Sequence, residues 1–396
     1  MKRILILHHS MEIGGAESSL LGLLQSFDYS EVKVDLMLLN KTGELLEMIP
    51  EEVALIDAPK AYGNLAVPIK EALKNRSVFI VAARLLGKYI ASKKNVNDVT
   101  YVTKQYCHRF AMPFLPKIKG NYDLAISFID PHYIVGKKVT AIKKLAWLHT
   151  DFSRIDIIKK QDHKMWDMFD GIVNVSDSCK KAFDKTHPEL SGKSIVIENI
   201  LSKTFIESQA ASDCCRTEMP ADNSVRLLSV GRFTEAKNFD NVPFICKLLI
   251  EEGIDVKWYI IGYGSDEELI KNKISEAETE DKVILLGKRT NPYPYIKNCD
   301  IYVQPSRYEG KCVTVREAQI LNKPVIITDY ATAPSQLTDG YDGIIVPMDN
   351  EGCANGIARV IADRGLQRSL TENTKKSDYT NSREVEKIYS MIEEAE

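Results

Sequence analysis

Short aliphatic and β-branched runs alternate along the whole chain with stretches of helical spacing. The first half carries RILIL (3–7), VKVDLMLL (32–39), VALID (53–57), DLAISF (123–128), KKLAWLH (143–149), GIVNVS (171–176) and SIVIEN (194–199). The second carries VRLLSVG (225–231), VKWYIIG (256–262), KVILLG (282–287), DIYVQPS (300–306), KPVIITD (323–329) and GIIVP (343–347). These runs are apolar almost throughout, so both faces of each strand must be covered, as in a parallel sheet with helices on either side. Each half has strands enough for a doubly wound sheet of its own. The pattern predicts an α/β protein of two Rossmann-like domains facing across a cleft, where a ligand is expected.

Length agrees with two cores, since 396 residues exceed what one usually holds. The predicted boundaries are an N-terminal, acceptor-binding domain over 1–203, a linker over 204–224, a C-terminal domain over 225–378, and a helix over 379–396 returning to the N-terminal domain. The linker rests on ESQAASDCCRTEMPADNS (207–224), which is polar and aperiodic. A formal net charge of -3 argues against a nucleic-acid partner. MKRILILHHS has too short an apolar run for a secretory signal, which needs about 7–15 apolar residues. SVFIVAARLL (77–86) is broken by Arg84 and falls short of the roughly 20 residues of a membrane span. A cytoplasmic protein, soluble or peripheral to the membrane, is expected. Its eight cysteines form no CxxC pair and no metal-ligand spacing, and read as ordinary thiols.

Candidate chemistry sits where such sheets bind ligands, after the strands. In HHSMEIGGAESSLLGLL (8–24), Gly14 and Gly15 let backbone approach a ligand and the helix starting near Ala16 aims its positive end at it; a plain strand-to-helix turn is the other reading. VGRFTEAKN (230–238) offers Arg232 and Lys237 to one anion, although two solvated cations would look the same. IIGYGSDEE (260–268) has Gly262 and Gly264 but Glu267 where a dinucleotide fingerprint has its third glycine, which disfavours an NAD site. The most specific stretch is SRYEGKCVTVREAQ (306–319). Gly310 permits a turn after Glu309, and a helix starting between Lys311 and Val313, with Cys312 between them, turns free backbone N–H groups toward an anion and places Glu317 in its second turn. Two carboxylates flanking an anion-binding helix end suit hydroxyls on both sides of a diphosphate, the arrangement of a nucleotide sugar.

These residues resemble the retaining glycosyltransferases of the two-Rossmann (GT-B) fold, specifically glycosyltransferase family 4. The resemblance is densest over 225–348, where Gly231, Arg232, Lys237, Asn238, Gly262, Gly264, Gly287, Pro305, Ser306, Glu309, Gly310 and Glu317 fall in the family's order and spacing. It implies that Arg232 and Lys237 neutralise the donor diphosphate in place of a metal ion, that Glu317 binds the ribose, and that Glu309 holds the donor sugar's hydroxyls. AWLHTDFSR (146–154) looks like the family's strand ending in a histidine that faces the sugar, so His149 is the implied sugar contact. VIENIL (196–201) departs from the family's Pro-Asn-Gly, with Glu198 and Ile200 around Asn199; Lys311 and Cys312 depart from the usual aromatic or small residues. YEGKCVTVREAQ looks most like the members that build bacterial capsular and other surface polysaccharides.

The resemblance implies transfer from a nucleoside diphosphate sugar, UDP being the commonest carrier, to a saccharide or polyprenyl-diphosphate-linked acceptor, with no cofactor and no metal. An epimerase or phosphorylase of the same fold, or a non-catalytic sugar-nucleotide binder, remains the alternative at this stage. One further feature stands apart. Residues 59–119 carry many lysines and arginines against only Glu71 and Asp98, and IKEALKNRSVFIVAARLLGKYIASKK (69–94) has helical apolar spacing. Either it is a domain helix with solvated cations, or it rests the protein on anionic lipid.

Overall fold

The computed structural model describes residues 1–393 except 13, 213 and 214, and only the backbone of Arg154; Cys214 therefore lies outside the described residues. The chain forms two compact units, Met1–Asn199 together with the chain end from Arg383, and Ile200–Ser382. Unit 1 holds β1 (Lys2–His8), β2 (Val32–Leu38), β3 (Ala54–Asp57), β4 (Asn121–Ser127), β5 (Thr140–Leu148), β6 (Gly171–Asn174) and β7 (Ser194–Val196) in the order β3-β2-β1-β4-β5-β6-β7, every pair parallel. Unit 2 holds β8 (Val225–Val230), β9 (Val256–Ile261), β10 (Val283–Gly287), β11 (Ile301–Gln304), β12 (Val325–Thr328) and β13 (Ile344–Val346), again all parallel, in the order β10-β9-β8-β11-β12-β13. Each order reverses at one point, between β1 and β4 and between β8 and β11, where doubly wound sheets bind ligands.

The continuous apolar runs have the predicted cause. In unit 2, Leu227, Trp258, Val303 and Ile326 pack into one helical layer, and their neighbours Leu228, Tyr259, Tyr302 and Ile327 into the other. In unit 1, Ile4, Leu5, Ile6 and Leu7 on β1 are all buried.

Two stretches differ from the reading above. The stretch 204–224 folds onto unit 2: a helix spans Lys203–Gln209, and Ile206, Ala210, Cys215 and Met219 are buried in its core. Those four apolar side chains are spaced one per helical turn or so among polar ones, too sparse a stripe to stand out. The 69–94 stretch is two helices, Ile69–Lys74 and Val78–Ser92, separated at Arg76, whose φ is 56°. Arg84 is no surface cation: it is buried, and its Nη1 donates to the carbonyls of Asn64 and Val67, each at 2.7 Å. The Val78–Ser92 helix buries Ile80, Val81, Ala83, Arg84 and Gly87, yet turns a second apolar face outward, with Phe79 70% and Tyr89 63% exposed. No helix among the described residues is long and apolar enough to cross a membrane.

The final helix, Val385–Glu393, packs in unit 1, burying Val385, Ile388 and Ile392. Tyr389 stacks edge-on against Phe27 and its hydroxyl accepts from the Asp28 amide at 2.7 Å. Glu384 accepts from the Glu198 amide at 2.9 Å. This helix therefore closes unit 1. Ile388→Ala should lower the stability of unit 1 by about 2–5 kcal/mol, read as a lower chemical-denaturation midpoint for the transition that includes unit 1, whereas Lys387→Ala at the exposed face should leave it nearly unchanged.

Candidate functional site

In unit 2 the loops after β8 and β11 meet because their strands are neighbours at the switch point. Lys237 ends a 3₁₀ turn, Glu235–Lys237, and Asn238 follows in a left-handed conformation, φ 59°. That reversal folds the Lys237 side chain back under the loop, where its ammonium meets Glu309 Oε1 at 2.5 Å. Glu309 Oε1 also accepts from Ser306 Oγ at 2.6 Å, and Ser306 is held in turn by Gln304 Nε2 at 2.9 Å. Burial disfavours charge on Lys237, but Cys312 and the Glu309 carboxylate outweigh it and hold the ammonium above its ordinary range. Arg307 adds a second tie, pairing both nitrogens with Asp240 at 2.9 and 2.7 Å while its amide donates to the Ala236 carbonyl at 2.8 Å. Arg232 extends from the same loop, exposed and with no ion-pair partner among the described residues.

The helix after Gly310 spans Val313–Ile320 and starts at Cys312 with no side-chain cap. The Cys312 amide is taken by Gln336 Oε1 at 2.7 Å, which leaves the first-turn amides from Val313 onward to face an anion. Cys312 and Val313 are buried, and burial pushes the Cys312 thiol up to about 11. The Lys311 ammonium donates to the Ser335 carbonyl at 2.8 Å, so of this residue the backbone is what the site gains. Glu317 is buried beneath the helix start, and Tyr293 donates its hydroxyl hydrogen to Glu317 Oε1 at 2.9 Å. Burial raises the Glu317 carboxyl to about 7, against the lowering effect of that hydrogen bond.

Two glycines let these loops sit so close. A Cβ on Gly262 would stand 1.9 Å from the Gly231 carbonyl oxygen, and one on Gly264 2.3 Å from that of Phe233. Their role is thus to pack the end of β9 against the Arg232 loop.

The unit 1 candidates form a separate group. Gly15 opens the helix Gly15–Ser26 and Gly14 precedes it in extended conformation; a Cβ there would meet Glu17 Oε2 at 2.3 Å. Glu17 Oε1 lies 3.2 Å from Nε2 of the buried His8. Burial pulls the Glu17 carboxyl upward, but His8 and the nearby His149 hold it below its usual value. His149 Nε2 donates to the Phe128 carbonyl at 2.9 Å, and burial lowers its pKa to about 4, so the ring is neutral at pH 7 with Nδ1 as its acceptor. Sequence reasoning gave no role to Ser306 and Arg307, which lie inside the quoted motif, and missed Tyr293, which lies between two quoted strands, and the His8–Glu17 contact, which HHSMEIGGAE carried without a recognisable spacing rule.

Residues 217–377 match the family profile described as Glycosyl transferases group 1. Among curated proteins, the Campylobacter jejuni N-acetylgalactosamine-N,N'-diacetylbacillosaminyl-diphospho-undecaprenol 4-alpha-N-acetylgalactosaminyltransferase is 28% identical over 151 residues, 38% of this chain and 40% of its own length. The Staphylococcus aureus poly(ribitol-phosphate) alpha-N-acetylglucosaminyltransferase is 28% identical over 156 residues, 39% of this chain and 30% of its own. The chain thus matches well under half the length of these relatives. Among solved structures, S. aureus TarM in complex with fondaparinux, alpha-GlcNAc-glycerol and UDP matches with a TM-score of 0.69 at 14% identity, over 99% of this chain and 100% of that one. Anabaena HepE in complex with UDP and glucose matches with a TM-score of 0.69 at 16% identity, over 98% and 100%. These likenesses establish the fold, two parallel-sheet Rossmann-like domains of the GT-B class.

The buried Glu317 has a consequence for stability. Its folded pKa of about 7 lies above the ordinary 4.5, so stability is full below about pH 4.5 and falls as pH rises toward 7. The full loss is about 3 kcal/mol at roughly 1.36 kcal/mol per unit. Melting of the ligand-free protein should show Glu317→Gln gaining on wild type between pH 5 and pH 8. A difference that does not change with pH would refute a Glu317 carboxyl whose burial outweighs its hydrogen bond from Tyr293.

Proposed function

Since residues 217–377 form a Glycosyl transferases group 1 domain, we propose that the chain is a retaining glycosyltransferase that transfers a sugar from a nucleoside diphosphate sugar, UDP foremost, to a saccharide or lipid-linked acceptor in surface polysaccharide synthesis. The observation that carries this reading is the convergence, at one edge of the second sheet, of Lys237, Glu309, Glu317 and an uncapped helix start. A buried ammonium and backbone amides suit a diphosphate, and carboxylates on either side suit hydroxyls.

In the proposed reaction the bond from the anomeric carbon to the diphosphate breaks through an oxocarbenium-like transition state. Its electron pair leaves on the phosphate oxygen, and the acceptor hydroxyl bonds to the carbon while passing its proton to that departing oxygen. The developing charge on the diphosphate falls to Arg232, Lys237 and the amides from Val313, each charge-assisted hydrogen bond supplying about 1.5–3 kcal/mol. Glu309 is already engaged by Lys237 and Ser306, which suits a group orienting sugar hydroxyls better than a nucleophile. Glu317 takes the ribose and His149 a sugar hydroxyl, the roles that the resemblance gives them. Cationic side chains stand where a divalent ion would otherwise neutralise the leaving group, so transfer needs no metal.

The outward apolar face of the Val78–Ser92 helix, bordered by Lys88, Lys93 and Lys94, supports peripheral contact with an anionic membrane, where a polyprenyl-linked acceptor would lie. The Lys93 ammonium sits 5.6 Å over the Tyr89 ring, so cation and apolar surface form one patch.

Assayed in EDTA with nucleotide sugars and lipid-linked acceptors, the wild-type protein should release nucleoside diphosphate. Lys237→Ala should reduce kcat/KM about 10- to 100-fold, Glu317→Ala should act mainly on KM, and Glu309→Ala on kcat as well. Wild-type kinetics in the two glutamate variants would sink the site. The protein should also co-sediment with anionic vesicles but not neutral ones, salt should weaken binding, and Lys88→Glu, Lys93→Glu and Lys94→Glu combined should abolish it. Equal recovery with neutral vesicles would refute the membrane contact.

A further inference from the structure

Unit 1 holds a second cluster, unrelated to the sugar-nucleotide chemistry. His163 lies in the helix Lys159–Trp166, His187 ends the helix Asp177–Thr186, and Glu189 stands in the following 3₁₀ turn, Pro188–Lys193. Each offers one metal-ligating atom, and the three lie within 4.8 Å of one another. Glu189 Oε1 is 3.2 Å from His163 Nδ1 and 3.5 Å from His187 Nδ1. Neither nitrogen makes a hydrogen bond of strict geometry, and each faces the Glu189 carboxylate at ion-pair distance. Ligands of a tetrahedral ion bound at about 2.0–2.1 Å stand about 3.3 Å apart, which these separations bracket.

His187 supplies the independent observation. Its side chain is fully buried. Its Nε2 lies 2.7 Å from Oδ2 of the equally buried Asp162, which also accepts from Trp166 Nε1 at 3.0 Å. The other Asp162 oxygen accepts from Tyr101 Oη at 2.9 Å and Gln105 Nε2 at 2.5 Å. Four donors aimed at one carboxylate leave it nothing to donate, so the hydrogen between them belongs to His187 Nε2. Nδ1 then faces Glu189 Oε1 at 3.5 Å, on the side away from Asp162. The Glu189 carboxylate lies beside both imidazole nitrogens, so a positive centre, a metal ion or a proton, fits among the three. A carboxylate behind the far nitrogen is also the outer support that metal-binding histidines carry.

We propose that His163, His187 and Glu189 bind one divalent transition cation, Zn²⁺ foremost, with Asp162 orienting His187 and water completing the shell. His163 and Glu189 side chains are 35% and 41% exposed, so an ion can enter and a water can reach it. Two imidazoles and one carboxylate suit Zn²⁺ rather than Mg²⁺ or Ca²⁺, which take oxygen ligands. The ion clips the Lys159–Trp166 helix to the turn after Asp177–Thr186 and takes no part in sugar transfer.

The test is titration of chelator-stripped, full-length protein with Co²⁺, followed by Zn²⁺ competition and thermal melting. Wild type should bind one equivalent of Co²⁺ with the visible absorption of a four-coordinate site, Zn²⁺ should displace it, and Zn²⁺ should raise Tm. His163→Ala and Glu189→Ala change exposed groups, and each, with unaltered circular dichroism, should weaken binding by more than about 100-fold, beyond the loss of an outer partner. No Co²⁺ binding to wild type, or equal binding to both variants, would overturn the proposal and leave a proton as the positive centre.

Discussion

Lys237 is a cation held largely out of water, and such a charge needs an anion beside it. In the ligand-free chain that anion is the Glu309 carboxylate, 2.5 Å away. The pair fixes the Arg232 loop against the Glu309 loop, and the Arg307–Asp240 pair repeats the tie on their outer side. A diphosphate arriving in the proposed reaction would meet an ammonium already positioned and desolvated. It would compete with Glu309 for that charge, freeing the carboxylate to accept from sugar hydroxyls. Positioning of this kind lowers reorganisation at the moment of bond breaking, which is where electrostatic catalysis gains most.

The fold supplies the rest of that geometry. A parallel sheet sends every strand's carboxyl end to one edge, and the reversal of strand order between β8 and β11 leaves space there for loops to fold over the sheet. Gly262 permits the β9 end to touch the Gly231 carbonyl. Burial of Glu317 under the same helix start stores a penalty above neutral pH that a pair of ribose hydroxyls could offset by hydrogen bonding to the carboxylate.

Much of this was legible before the structure. All thirteen strands among the described residues coincide with apolar runs, because a strand covered on both faces has no side for polar residues; the edge strand β3, half exposed, is the exception to that cause. The Glu309 and Glu317 pair stood out because Gly310 and the onset of helical spacing between them marked a helix start. What the sequence withheld depended on long-range contact. Arg84 reads as one more cation in a basic stretch, and only the folding of Asn64 and Val67 carbonyls around it shows it to be internal. The stretch 204–224 reads as a linker because its four buried apolar residues are diluted by polar ones. His163 and His187 are far apart in sequence and match no ligand spacing; the shared carboxylate neighbourhood of Asp162 and Glu189 exists only in three dimensions.

The central claim is that the edge of the second sheet around Lys237 receives a nucleoside diphosphate, and a crystal structure of the protein with bound UDP tests it most directly. The account predicts the diphosphate against Lys237 Nζ and the first-turn amides from Val313, the ribose hydroxyls on Glu317, and a longer separation between Lys237 and Glu309. UDP bound elsewhere, or bound with Lys237 and Glu309 still in their closed pair and no phosphate contact to the Val313–Ile320 helix, would contradict it.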